Sequence, residues 1–323
     1  MENKLFFQSL VASDLITVEN RMREQAKDHH EDLSAALDHL IDSGGKRIRP
    51  NITLLFGKML NGDLNSLITL SAAIELLHTA TLVHDDLIDG SLLRRGIPTL
   101  NSKWSPAATV LTGDFLFAKA AFLAAETDSV PVMKLFSNTL STIVNGEIVQ
   151  MFSSRCNPDR NEYYQRIYSK TASLFETSSL AAAIISNCDE ITKENIRQYG
   201  YELGLAFQII DDIFDFTSEQ DQIGKPVGGD LRQGLITLPA ILYFEENSND
   251  PIVKDYFENN CIPTKSNINP LINNIRKSNA IMRSLEIAKQ HSEKSISAIL
   301  RLPDSIYRQA LIQMAHFVTE REI

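Results

Sequence analysis

Long apolar runs, paired cysteines and basic stripes are all missing from this 323-residue chain, and each absence removes a class of protein. No uninterrupted apolar stretch reaches the roughly 20 residues that a membrane-spanning helix needs. The N-terminal MENKLFFQSLVASDLITVEN holds a short apolar run broken by Gln8, Ser9 and Asp14, too weak for a signal peptide, so a soluble, cytoplasmic protein is expected. The three cysteines, Cys156, Cys188 and Cys261, lie far apart without a CxxC pattern, which points to reduced thiols whose default role is packing. The formal charge is −10 and the basic residues are scattered or locally clustered, which argues against a nucleic-acid partner. No Pro/Gly/Ser-rich linker, charge block or internal repeat divides the chain, so residues 1–323 are expected to form one domain.

What is present is helical. Hydrophobic residues make up 43% of the chain against 22% charged, enough for a deep core. Segments such as ITLSAAIELLHTATLVHDDLID, VMKLFSNTLSTIVNGEIVQMF and RQYGYELGLAFQIIDDIFDF repeat their apolar residues at helical period, and no clear two-residue alternation is found. The fold class is therefore all-α. Breaks are expected at DSGGKRIRPN, GIPTLNSKWSP, RCNPDRN, IGKPVGGDLRQG and NNCIPTKSNINP, where Gly, Pro and Asn collect. Leu67 to Leu87 and Leu203 to Phe216 are apolar almost all the way round, the mark of central helices.

Each of these two helices ends in a DDxxD cluster: Asp85, Asp86 and Asp89 in one, Asp211, Asp212 and Asp215 in the other. Aspartates four apart share a helix face, so Asp85 with Asp89, and Asp211 with Asp215, can each clamp a hard cation. Mg²⁺ suits this ligand set, because it takes a few carboxylate oxygens and fills its other positions with water and phosphate oxygens. One such cluster alone reads equally well as a solvated helix end. Two, each placing like charges beside an apolar stretch, carry a desolvation cost that cations would offset.

Basic residues supply the complementary charge. The loop Gly44-Gly45-Lys46-Arg47-Ile48-Arg49-Pro50 brings three cations and two glycines together, a candidate anion site or else a solvated basic loop. Arg94 and Arg95 follow the first acid cluster and are suited to bidentate phosphate contact. For Lys170 and Lys225, each taken alone, surface solvation is as good a reading as function. His78, seven residues before Asp85, and Gln208, three before Asp211, are polar groups on apolar helices, either satisfied core residues or contacts for a diphosphate or a developing cation.

Together these residues, from GGKRIRP to DLRQGLITLP, closely resemble the trans-prenyltransferase family of isoprenyl diphosphate synthases, also known as polyprenyl synthetases. The resemblance implies a large orthogonal and antiparallel helical bundle around a central cavity, usually a homodimer, needing two or three Mg²⁺ ions. It also implies transfer of an allylic diphosphate's prenyl group, farnesyl or geranylgeranyl, onto isopentenyl diphosphate. By the same resemblance Lys46, Arg49 and His78, with Arg95 beside them, contact isopentenyl diphosphate. Arg94, Lys170 and Lys225 hold the allylic diphosphate, and Thr171 and Gln208 steady the allylic cation. Asp85, Asp89 and Asp211 match metal ligands, with Asp86, Asp212 and Asp215 in support. One departure stands out: many members carry a lysine between the glycine and threonine of the segment that reads Gly234-Leu235-Ile236-Thr237 here, and Arg232 is the nearest substitute.

Thr81 and Ala80, four and five residues before Asp85, are small, and are expected to point into the cavity that receives the growing tail. Each helical turn descends about 5.4 Å, which sets the floor deeper, at Leu77, Ile74, Phe136 or Ile143. An all-trans product of seven isoprene units (C35) or more follows, whose apolar tail would bring the protein to a membrane surface. The alternatives are a short-chain C15 or C20 synthase, a terpene cyclase, a di-iron bundle and a non-catalytic partner subunit. The second acid motif argues against the cyclase, and a single ExxH, Glu75 to His78, falls short of the two motifs that a di-iron bundle needs.

Overall fold

The computed structural model describes residues 5–94, 96–152, 156–217, 227–262 and 267–320. The main helices, in chain order, begin with α1 (Ala12–Glu24), α2 (Glu31–Asp42), α3 (Ile48–Met59), α4 (Leu64–Ile88) and α5 (Pro106–Ala125). Next come α6 (Val130–Phe152), α7 (Arg160–Ile167), α8 (Ser173–Ile185) and α9 (Glu190–Thr217). The last are α10 (Leu238–Glu246), α11 (Pro251–Glu258), α12 (Ile268–Lys277), α13 (Ala280–Ile299) and α14 (Ile306–Thr319). Between α7 and α8, Tyr168–Ala172 forms a turn of π-helix. Among the described residues the only sheet is a two-strand hairpin, β1 (Leu93–Arg94) and β2 (Ile97–Pro98), too short to leave a period in the sequence.

Side chains set the helix starts. Asp63 Oδ2 accepts from the Ser66 amide at 2.8 Å and opens α4, and Asp159 Oδ1 accepts from Glu162 at 2.9 Å and opens α7. Ser105 precedes Pro106, whose missing N–H costs nothing in the first turn of α5. Asp63→Ala is expected to lower stability by about 1 kcal/mol, the usual worth of such a cap, and to leave turnover unchanged; a change in kcat would refute this.

The chain sorts into two compact units. The first holds the chain up to Ser141 with Leu174–Gly200 and Ala298–Met314; the second holds Thr142–Ser173, Tyr201–Ser297 and the chain from Ala315. In the first, α4 packs on α1, α3 and α5. Leu67, Leu70, Ile74, Leu76, Leu77 and Ala80 are all buried, and each such Leu or Ile is worth about 1.5–3 kcal/mol in removed apolar surface. Gly113 lets α5 approach α4 closely, because a Cβ there would stand 2.2 Å from His84 Nε2. Both α4 and α5 are long and apolar enough to cross a membrane by length and composition, but 67% of the most apolar stretch of α4 is buried in protein. Burial separates such a core helix from a span where composition does not.

In the second unit Ile209, Ile210, Ile213 and Phe216 of α9 pack with Ile167, Leu231, Leu242, Phe244, Tyr256 and Leu271. One expectation is corrected here: Cys156 and Cys261 form a disulfide, with Cα atoms 5.3 Å apart across 105 residues of sequence. Spacing along the chain carries no information about that approach, which α7 and α11 to α12 create in three dimensions. Cys188 is free, and burial raises its thiol pKa. Alkylation of the unfolded, unreduced protein is expected to label Cys188 alone and to label all three cysteines after reduction. Three labels without reductant would remove the bridge.

Candidate active site

In the first unit the C-terminal end of α4 presents three aspartates in three settings. Asp86 is buried, and Arg94 of β1 grips it, with Nε 3.0 Å from each carboxylate oxygen and Nη2 2.9 Å from Oδ1. The hairpin sits where it does because Thr99 Oγ1 donates to the Ser91 carbonyl at 2.7 Å and Asn101 Nδ2 donates to the Asp86 carbonyl at 3.2 Å. Asp85 is half-buried, and Asp89, the residue that ends the helix, is exposed. The central carboxylate is thus braced by an arginine while those on either side stay accessible.

His78 and Thr81 are half-buried on the same helix, and the Thr81 hydroxyl donates to the His78 carbonyl at 2.7 Å. Ala80 is fully enclosed, contrary to the expectation that it lines a cavity, because a one-residue step turns a helix by about 100°. In the basic loop the three cations part company. Arg47, at φ 47°, turns inward and binds Glu19 at 2.9 Å, Glu75 at 3.1 Å and the Ile41 carbonyl at 2.8 Å. Burial works against its charge, and Glu75 and Glu19 more than offset that, so its pKa is raised. Lys46 is exposed, and Arg49 is half-buried with its guanidinium carbon 4.7 Å from the centre of the Phe175 ring. Gly44 takes φ 73°, a conformation that favours glycine, and turns the chain into this loop.

In the second unit a continuous hydrogen-bonded chain runs through the acid cluster. Thr171 Oγ1 donates to Gln208 Oε1 at 2.6 Å, and Gln208 Nε2 donates to Asp212 Oδ1 at 2.8 Å. The other Asp212 oxygen accepts from the Tyr163 hydroxyl at 2.7 Å. Asp212 is fully enclosed, and burial, with Asp230 adding like charge, pushes its pKa up to about 7. Burial, followed by Asp212, raises the Tyr163 pKa well above its ordinary value. Asp211 stays half-buried. Asp215, expected among the metal ligands, caps the turn after α9: its Oδ1 accepts from the Gly229 amide at 2.9 Å and its Oδ2 from that of Asp230 at 3.2 Å.

Lys170 sits in the π turn and pairs with Glu147 of α6 at 2.7 Å. Gly146 permits that approach, since a Cβ there would lie 2.5 Å from Ser169 Cβ. Such turns interrupt helices frequently at functional positions. Arg232, the sequence's nearest substitute for the missing lysine, is committed elsewhere: Nε donates to the Val227 carbonyl at 2.9 Å and Nη2 to Asn269 Oδ1 at 2.7 Å. Arg95 and Lys225 lie outside the described residues.

Sequence reasoning passed over Tyr163, Glu147 and Asp230. Tyr163 carried a signal in retrospect, as an aromatic on the apolar face of an otherwise polar helix, seven residues before Lys170. The carboxylates of Asp85, Asp89 and Asp211 are oxygen donors of the kind a hard divalent cation takes, although among the described residues no three acidic, His or Cys side chains are preassembled around a point. What the clusters offer instead is accessible carboxylate oxygen, one or two groups at a time, the pattern of a metal completed by water and phosphate.

The polyprenyl synthetase family model matches residues 30–273. A heptaprenyl diphosphate synthase component 2 from Bacillus subtilis is 35% identical over 97% of this chain and 90% of its own. The octaprenyl diphosphate synthase of Escherichia coli is 32% identical over 97% of both chains. The crystal structure of a polyprenyl synthase from Caulobacter crescentus, complexed with calcium and isoprenyl diphosphate, superposes with a TM-score of 0.90 at 33% identity, covering 98% of this chain and 97% of that one. The chain belongs to the polyprenyl synthetase family, as an all-α prenyltransferase.

Proposed function

We propose that this prenyltransferase condenses isopentenyl diphosphate head-to-tail with an allylic diphosphate, farnesyl or geranylgeranyl, and repeats the step to an all-trans product of seven isoprene units or more. One observation carries the reading. Each acid cluster has a buried central aspartate held by the protein, Asp86 by Arg94 and Asp212 by Gln208 with Tyr163, while Asp85 and Asp211 are half-buried and Asp89 is exposed. That division suits metal-assisted release of a diphosphate, where outer carboxylates ligate and central ones orient.

Asp85, Asp89 and Asp211 are the ligands proposed for Mg²⁺, with Asp215 holding the turn that follows. Bound Mg²⁺ supplies positive charge against the charge that the diphosphate gains on leaving. Arg94 and Lys170 add to it, each already oriented by one carboxylate, and Lys46, Arg49 and His78 receive isopentenyl diphosphate. Thr171 donates its hydroxyl hydrogen bond to Gln208, which leaves the hydroxyl's lone pairs facing away from that bond to steady an allylic cation. The C–O bond of the allylic diphosphate breaks, the isopentenyl double bond attacks the cation, and a proton is lost to the departing diphosphate. Exposed Leu111 and Phe122 on α5 support a homodimer, checked by light scattering of the purified chain.

Farnesyl diphosphate, isopentenyl diphosphate and Mg²⁺, incubated with the purified chain alone, are expected to give products of C35 or longer. Arrest at C15 or C20 would overturn the length. No condensation would favour a chain that needs a partner, a reading kept open by the Bacillus relative's description as component 2. Thr81→Phe, at a half-buried position, is expected to shorten the product by at least one isoprene unit. Ala80→Phe overpacks an enclosed site and should instead cost about 1–3 kcal/mol of stability; radiolabel chromatography and thermal melts separate the two.

A further inference from the structure

Arg166 is a cation that neither the sequence patterns nor the family roles account for. It lies on α7 four residues before Lys170, half-buried. Its Nη2 donates to the Ile236 carbonyl at 2.5 Å, and its guanidinium carbon stands 5.5 Å from the centre of the Tyr163 ring. Tyr163 in turn holds Asp212. Arg94 and Lys170 each pair with a carboxylate, but among the described residues no carboxylate comes within ion-pair distance of Arg166.

The stretch that docks this guanidinium provides no cation of its own. From Val227 to Ala240 the sequence carries a single basic residue, Arg232, and Val227 and Asn269 occupy it. Leu235 and Ile236, beside the docking carbonyl, are apolar. A planar guanidinium held by one carbonyl and one ring face keeps its remaining N–H groups in a fixed fork, the geometry that grips two phosphate oxygens at once.

We propose that Arg166, docked on the Ile236 carbonyl, is a diphosphate-binding residue of the second acid cluster, contacting the allylic diphosphate and supplying the positive charge that Leu235 and Ile236 withhold. The assignment rests on the prenyl-transfer reading for the identity of its ligand. A cation that only balances Asp212 and Asp230 would leave substrate affinities alone, or disturb both substrates together through loss of folding.

Arg166→Gln keeps a donor for the Ile236 carbonyl and removes the charge. The expected result is a KM for the allylic diphosphate raised about tenfold or more, as loss of a charge-assisted hydrogen bond predicts, with the KM for isopentenyl diphosphate within twofold of wild type. Adding Leu235→Lys to that variant should recover at least threefold of the lost affinity. An unchanged allylic KM, or parallel rises in both constants, would overturn the proposal. Should Arg166→Gln fail to fold, Arg166→Lys decides: it retains charge without the fork, so an allylic KM equal to wild type would overturn the assignment and a several-fold rise would support it. Calorimetric binding of inorganic diphosphate with Mg²⁺ provides a readout without turnover. If wild type binds diphosphate but makes no product, the prenyl reading fails, and tenfold weaker binding by Arg166→Gln would still uphold Arg166 as the anion contact while equal binding would sink it.

Discussion

Asp85→Ala is expected to lower kcat by about three orders of magnitude, because one unit charge pair near 4 Å is worth roughly 4 kcal/mol at an effective dielectric of 20 and each 1.4 kcal/mol is a factor of ten. Asp85 is half-buried at the end of α4, one residue before the carboxylate that Arg94 grips, and is a ligand proposed for the cation. Its loss should therefore also raise the Mg²⁺ concentration needed for half-maximal rate. Stability should change little, since a half-buried helix-end carboxylate with like-charged neighbours contributes no core packing. A kcat within tenfold of wild type, measured at saturating substrates, would remove Asp85 from the metal-binding role.

The second large effect concerns Asp212 and has opposite signs in stability and catalysis. Its folded pKa, near 7, stands above the ordinary carboxylate value of 3.8, so folding disfavours the charged form. Protonated below the ordinary value, the group opposes folding not at all; as pH rises from about 4 to about 7 the metal-free protein loses stability, on the order of 4 kcal/mol in total. Asp212→Asn preserves the shape and can keep its hydrogen bonds with Gln208 and Tyr163. In chelator it should melt several degrees higher than wild type at pH 8 and at the same temperature near pH 4. A divalent ion beside the carboxylate reverses the logic, so the same variant should gain less from added Mg²⁺ and turn over at least tenfold more slowly. A lower melting temperature at pH 8 in chelator would show that the buried charge is already compensated.

Elements that announce themselves by periodicity were legible without coordinates. The three quoted helical segments fall within α4, α6 and α9, and both acid clusters stand at the C-terminal ends of apolar helices as their spacing indicated. Contacts between distant residues were not. Nothing in the order of residues distinguishes Arg47, which turns inward to Glu19 and Glu75, from Lys46, which stays in water. The difference arises from a left-handed backbone at Arg47 and from carboxylates contributed by α1 and α4. The Cys156–Cys261 bridge and the Asp215 cap depend likewise on where a loop returns, a tertiary outcome that pair spacing does not encode.

The π turn at Tyr168–Ala172 makes residue count, not only residue identity, a constraint on this enzyme. One residue more than a regular helix needs is accommodated there, and removing any one of the five would let the segment close into ordinary α-helix. The helix on either side would keep its face, because the turn already absorbs the extra residue, but Lys170, inside the turn, would lose its register with Glu147. Chimeras that exchange this stretch between relatives should tolerate changed side chains far better than a changed number of them.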